Sequence, residues 1–275
     1  MATETLPMCL PEDEPSPPAA DPWWAAFGRG VVGAASAVGR GFSSAFHAVD
    51  PDVRRDLAQM PVLAMTLLLP GWRAPIARPD DGRRPLIFVH GLGGHRGNFL
   101  ALHGFLYAGG RRRMYSVGFP HGGSIEEQAG ELGHFVREVI AVNELAGDAQ
   151  VDIVAHSMGG LIARACVDDL ELARRVARLV TLGSPHGGTH AARWAGTRHT
   201  SDLRPDSALM ERLRRQEPWS RAPELICFWS DADPFMQPAS TARVAGADNR
   251  LLEGMSHIDY LLRPAAWKAV QEALR

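Results

Sequence analysis

The chain has 275 residues, 45% of them hydrophobic and 22% charged, with a formal net charge of −2. That length accommodates one large α/β domain or two small ones with a substantial core, and the composition is that of a soluble globular protein. Nothing in the charge balance points to the basic face that a nucleic-acid partner usually needs, and three cysteines at wide spacings, Cys9, Cys166 and Cys227, form neither a disulfide framework nor a zinc pattern.

Residues 1–22 are rich in Pro, Ala and acids and are expected to be disordered. The segment has neither the basic start nor the apolar run of a secretory signal, and the most apolar stretch, 61–70, is too short to span a bilayer. The expectation is a cytoplasmic protein. Residues 23–49 interleave Trp23, Trp24, Phe27, Val31, Val32, Val38, Phe42 and Phe46 with Gly, Ala and Ser. They suit a loose amphipathic helix making peripheral membrane contact, or an arm packed on its own domain. Asp50-Pro51 can cap a short helix through Gln59, and residues 23–84 together form an N-terminal extension.

From residue 85 the pattern changes to strands alternating with helices. Leu86 to Val89 is a short apolar run suited to a strand buried on both faces, and Met114 to Phe119 is a second strand. Between them Arg111-Arg112-Arg113 reads as a solvated loop. Ser124 with Glu127 forms a capping box that opens a helix with apolar residues at helical spacing as far as Ile140. Further strands are expected at Val151–Ala155, Leu179–Leu182, Leu225–Trp229 and Arg250–Leu252, with helices at Leu161–Val167, Ser207–Arg215 and Pro264–Leu274. Such alternation implies a mostly parallel central sheet with helices on both faces. Residues from about 184 to 222 break the rhythm, as a small cap insertion over the carboxyl ends of the strands would.

Three features carry chemistry. Val154-Ala155-His156-Ser157-Met158-Gly159-Gly160 lies between a predicted strand and a predicted helix. A sharp turn there exposes a serine hydroxyl, and small residues two positions either side, Ala155 and Gly159, let the turn close. A serine that merely caps the helix is the plainer alternative. His90-Gly91-Leu92-Gly93-Gly94 follows the first strand. Its Leu92 N–H, with the N–H of Met158, can form the two-donor hole that a tetrahedral intermediate needs, whereas the spacing fits neither a dinucleotide loop nor a P-loop. An acid and then a histidine follow the serine in the chain. Asp233, with Asp231 as the rival acid, lies past the strand 225–229, and His257 lies past the last short strand. His90, His156 and His186 precede the acid and are expected to shape the site.

In these segments, and in Leu182-Gly183-Ser184-Pro185-His186-Gly187-Gly188-Thr189 and Leu203-Arg204-Pro205-Asp206-Ser207, the chain resembles bacterial lipases and esterases of the α/β-hydrolase fold and the related lipid-ester hydrolases that include GPI inositol deacylases. The resemblance covers about residues 85–275. It implies an α/β-hydrolase domain with a Ser157–Asp233–His257 triad, an oxyanion hole of Leu92 and Met158, no metal and no organic cofactor. The implied activity is cleavage of carboxylic esters of lipid or small-molecule type through an acyl-enzyme. Acyltransferases, thioesterases and amidases share that machinery, and a vestigial domain serving a membrane-peripheral interaction protein is a further alternative. Gly91, His156 and Trp194 are candidate substrate-binding residues. Leu92, Phe99, Met158 and Trp194 suit an acyl pocket or, equally, plain core packing.

Overall fold

The computed structural model describes residues 50–66, 74–119, 123–194 and 198–275. The expectations for residues 1–22 and 23–49, and for the side chain of Trp194, lie outside the described residues.

Among the described residues six strands form one parallel sheet: β1 (Leu86–Val89), β2 (Met114–Ser116), β3 (Val151–His156), β4 (Val176–Leu182), β5 (Glu224–Trp229) and β6 (Asp248–Leu251). Their order is β2-β1-β3-β4-β5-β6. β1 and β3 are buried along their whole length, which explains why β1 and the Ile153–Ala155 centre of β3 run apolar without alternating with polar residues. Successive side chains still point to opposite faces. Ile87, Val89, Ile153, Ala155, Leu179 and Cys227 pack on one side, and Leu86, Phe88, Val154, Val180, Ile226 and Phe228 on the other.

The first face is covered by α3 (Ile125–Val142), α4 (Met158–Cys166) and the short α5 (Leu170–Arg175), the second by α2 (Leu100–Ala108) and, near the C-terminus, by α8 (Asp259–Leu262) and α9 (Pro264–Ala273). The α3 capping box forms in both directions: Glu127 N–H donates to Ser124 Oγ at 3.2 Å and Ser124 N–H to Glu127 Oε2 at 2.6 Å. The expected second strand, 114–119, ends early. Val117 N–H donates to Phe88 O, and Gly118 and Phe119 then continue without strand pairing. At the other edge, β6 is largely exposed and carries the pair Arg250–Asp248, charges that discourage edge-to-edge pairing.

Two expectations need correction. The helix capped by Asp50, α1 (Pro51–Met65), does not end near Gln59 but runs through Pro61. Proline inside a helix costs about 3 kcal/mol, so packing of its far half, with Val62 buried and Leu63 against the second core cluster, holds the geometry. Arg111 is not in a solvated loop. It is buried and donates to Asp152 Oδ2 at 3.0 Å and to Arg84 O at 2.9 Å, pairing a charge at the amino end of β3. Cys166 and Cys227 are free and buried, and burial pushes both thiols up to about 12.

After β4 the chain forms a 3₁₀ turn (His190–Trp194), α6 (Arg198–Asp202) and α7 (Ala208–Arg214) before β5. Ser207 caps α7 by accepting from Met210 N–H at 3.2 Å, and Leu209, Met210 and Leu213 enter the first core cluster. Among the described residues no helix is long and apolar enough to cross a membrane.

Candidate active site

β3 ends at His156 and α4 begins at Met158, so Ser157 is the whole of the connection. Its φ of 56° and ψ of −130° put a non-glycine residue in left-handed backbone, a strain of order 1–3 kcal/mol. Its side chain makes no capping hydrogen bond to α4, which removes the plainer reading of this serine. The turn is held by Ser157 N–H to Leu182 O at 2.9 Å and Gly160 N–H to Ser157 O at 3.0 Å. The small residues matter as steric voids. A Cβ on Gly159 would overlap Val89 O and lie 2.7 Å from His90 O, so only glycine lets α4 approach the end of β1.

The glycine-rich loop meets the serine directly. A Cβ on Gly91 would lie 2.7 Å from Ser157 Cβ and 3.2 Å from its Oγ. The turn closes through Gly94 N–H to Gly91 O at 3.1 Å, and Leu92 at its tip is exposed. Met158 is the first residue of α4, and its N–H is one of the first-turn donors that a helix leaves unpaired.

The acid and the histidine approach from the other side. Ser230 Oγ, at the end of β5, accepts from Ala232 N–H and from Met255 N–H, joining the two loops. Asp233 is buried, with Oδ1 accepting from Phe235 N–H at 3.0 Å and Oδ2 accepting from His257 Nδ1 at 2.9 Å. Asp231 is exposed, so the structure brings the second of the two candidate acids to the histidine. Burial opposes a charge on His257, but the Asp233 carboxylate, aided by Asp56, outweighs it and raises the imidazole above its ordinary range.

His156, the neighbour of Ser157, packs its ring 4.6 Å from that of His257 and donates from Nε2 to His257 O at 2.9 Å. Burial, and the adjacent His257, push His156 down to about 3, so it stays neutral. Expected to meet substrate, it lies buried and tied to the histidine loop. His90 bonds through Nδ1 to Gly91 O and packs on Phe119. His186 lies buried against Thr181 Oγ1, and burial holds it well below the usual range. Phe235, exposed, packs its ring at a tilt against that of His257, with centroids 4.9 Å apart.

Phe99 packs against Phe88 in the second core cluster rather than beside Ser157, and Met158 is buried in the first. Cavities of about 420 Å³ and 350 Å³ lie elsewhere, one among Asp168, Arg212 and Arg221, the other among Ile76, His103 and Tyr115. Among the described residues no group of three His, Cys, Asp or Glu side chains is placed to hold a metal ion. Nothing in the sequence points to Asp56, which lies in α1 some 201 residues before the histidine and accepts from His257 N–H at 3.2 Å and Ile258 N–H at 2.8 Å.

A parallel sheet with a strained serine between strand and helix, and a later acid–histidine pair at the same edge, is the α/β-hydrolase fold of lipases and esterases. The chain belongs to the family described as "Domain of unknown function (DUF7379)", whose match covers residues 69–208. The fold is shared with the mature lipase BlEst2 of Bacillus licheniformis at a TM-score of 0.62 and 17% identity, over 73% of this chain and 95% of that one. Aspergillus fumigatus lipase B matches at 0.61 and 17% identity, over 71% and 53% of the two chains. Paleococcus ferrophilus monoacylglycerol lipase matches at 0.52 and 17%, over 73% and 98%. In sequence, 85 residues are 35% identical to the dihydrolipoyllysine-residue acetyltransferase component of the acetoin cleaving system of Pseudomonas putida, covering 30% of this chain and 22% of that protein. The match thus spans about a fifth of that curated relative.

Proposed function

We propose that the protein hydrolyses carboxylic esters of the lipid or small acyl type, as a lipase or carboxylesterase, with Ser157 as nucleophile. The observation that carries this reading is the 2.9 Å contact between buried Asp233 and His257, on a loop whose neighbour His156 adjoins the strained, uncapped Ser157. In this mechanism His257 Nε2 takes the Ser157 proton as Oγ attacks the ester carbonyl. Asp233 keeps the other imidazole proton on Nδ1 and stabilises the cation that forms. The N–H groups of Leu92 and Met158 receive the oxyanion, aided by the positive end of α4. His257 then returns the proton to the departing alcohol, and water, activated by the same imidazole, releases the acid.

Exposed Leu92 and Phe235 flank the serine and the histidine, and an apolar rim of this kind suits an acyl chain. The reading treats residues 85–275 as the hydrolase domain, with residues from about 184 to 222 as its cap and Trp194 on that cap. For residues 23–49 it retains peripheral membrane contact, which liposome co-sedimentation with and without residues 1–49 tests. The activity itself is tested with p-nitrophenyl acyl esters. Turnover by the intact chain and its loss in folded Ser157→Ala are expected; an unchanged rate in that variant overturns the assignment.

A further inference from the structure

We infer that Asp56 is a positioning residue for His257: a buried carboxylate on α1 that grips the histidine loop by its backbone and so sets where the imidazole stands. The inference rests on the reading of His257 as the general base.

The contacts form a clamp. Asp56 Oδ2 accepts from His257 N–H at 3.2 Å and Oδ1 from Ile258 N–H at 2.8 Å, so one carboxylate holds two consecutive amides. Two acceptor bonds from a rigid helix fix both the height and the tilt of the peptide between them. The residues either side on α1 hold the flanks of the loop. Arg55 Nη1 donates to Gly254 O at 2.9 Å, and Gln59 Nε2 donates to Asp259 Oδ1 at 2.8 Å. Asp259 in turn accepts from Ser256 N–H at 3.0 Å. The loop from Gly254 to Asp259 is therefore tied to α1 at four residues, with Asp56 at the centre and nearly inaccessible to water.

A carboxylate in that place has a second effect. His257 is faced by Asp233 from the β5 loop, by Asp56 from α1 and by neutral His156 from the elbow, while Tyr260 in α8 lies near Asp233, Asp231, Asp56 and Asp259. Burial raises the Asp56 carboxyl, whereas its bond from Ile258 N–H and the charge on His257 favour its ionised form. Ionised Asp56 favours the protonated imidazole, so its removal lowers the pH at which His257 titrates. A merely structural contact does not move that titration.

The test uses the full chain and Asp56→Asn, which keeps the shape and one acceptor oxygen while removing the charge. Expected are a folded protein by circular dichroism, a kcat reduced roughly tenfold with KM changed less than about twofold, and an acid limb of kcat moved to lower pH. NMR titration of the His257 ring without substrate gives the same downward movement independently of activity. If the ring titration moves but the wild type cleaves no ester, the ester-hydrolase reading fails and the positioning role stands. If esters are cleaved but the ring titration and kcat of Asp56→Asn match wild type, the positioning role fails alone. Should the variant not fold, amide exchange of His257 and Ile258 in the wild type decides: protection supports the clamp, and exchange as fast as in open loops overturns it.

Discussion

Replacing Asp233 by asparagine removes a charge and leaves the shape. The amide oxygen can keep the 3.0 Å bond from Phe235 N–H, which turns the NH₂ towards His257 Nδ1, where a carboxylate oxygen now accepts at 2.9 Å. A donor facing Nδ1 moves the imidazole proton to Nε2, and the nitrogen that takes the serine proton in the proposed mechanism is then blocked. The imidazolium formed during attack also loses its counter-charge. With charge centres roughly 4 Å apart and an effective dielectric of about 20, that pair is worth about 4 kcal/mol. At 1.36 kcal/mol per decade this amounts to about a thousandfold in kcat. The assay is p-nitrophenyl ester hydrolysis by Asp233→Asn, with thermal unfolding to show that the fold persists, beside Asp231→Asn. Asp231 is exposed, and its variant is expected to stay within about twofold of wild type. A loss below about tenfold in folded Asp233→Asn, or an equal loss in Asp231→Asn, refutes the reasoning.

His257 is raised above the ordinary imidazole range, and in the proposed mechanism only its neutral form accepts the serine proton, so the acid limb of kcat/KM is expected above about pH 6.5. The sign for stability is opposite: the contribution of this pair is complete below the unfolded imidazole value and fades as pH rises through the folded one. A limb below that value in the wild type contradicts the Asp233 pairing. Gly159→Ala forces a methyl group onto the backbone carbonyls of Val89, the last residue of β1, and His90, the next, and costs about 3 kcal/mol in denaturant unfolding. Gly130→Ala, exposed in the middle of α3 with nothing within 4 Å, gains about 0.5–1 kcal/mol. Equal effects from the two substitutions refute the steric reading of the elbow.

Much of the sheet was legible because strands buried on both faces must be short, apolar and punctuated. β1 and β5 lie within a residue of where their apolar runs place them. The α3 start was equally plain, since a capping box is a local signal. α2 escaped notice because Leu100–Ala108 is apolar on nearly every side and shows no stripe. The full length of α1 was hidden by Pro61, a local veto that tertiary packing overrides. At the site, Ser157 stood out because its neighbours' small size is itself a sequence signal. The choice between Asp231 and Asp233 was open because two acids two residues apart follow one strand, and only their burial separates them. Asp56 was illegible: its partners are backbone amides, which leave no side-chain signature in either segment.

The central claim is that Ser157 is the activated nucleophile, and a fluorophosphonate probe tests it most directly. The probe is applied to the intact chain and the modified peptide is identified by mass. A single adduct on Ser157, absent in His257→Ala, is the expected result. A folded protein that takes no label, or takes it at another serine, contradicts the account.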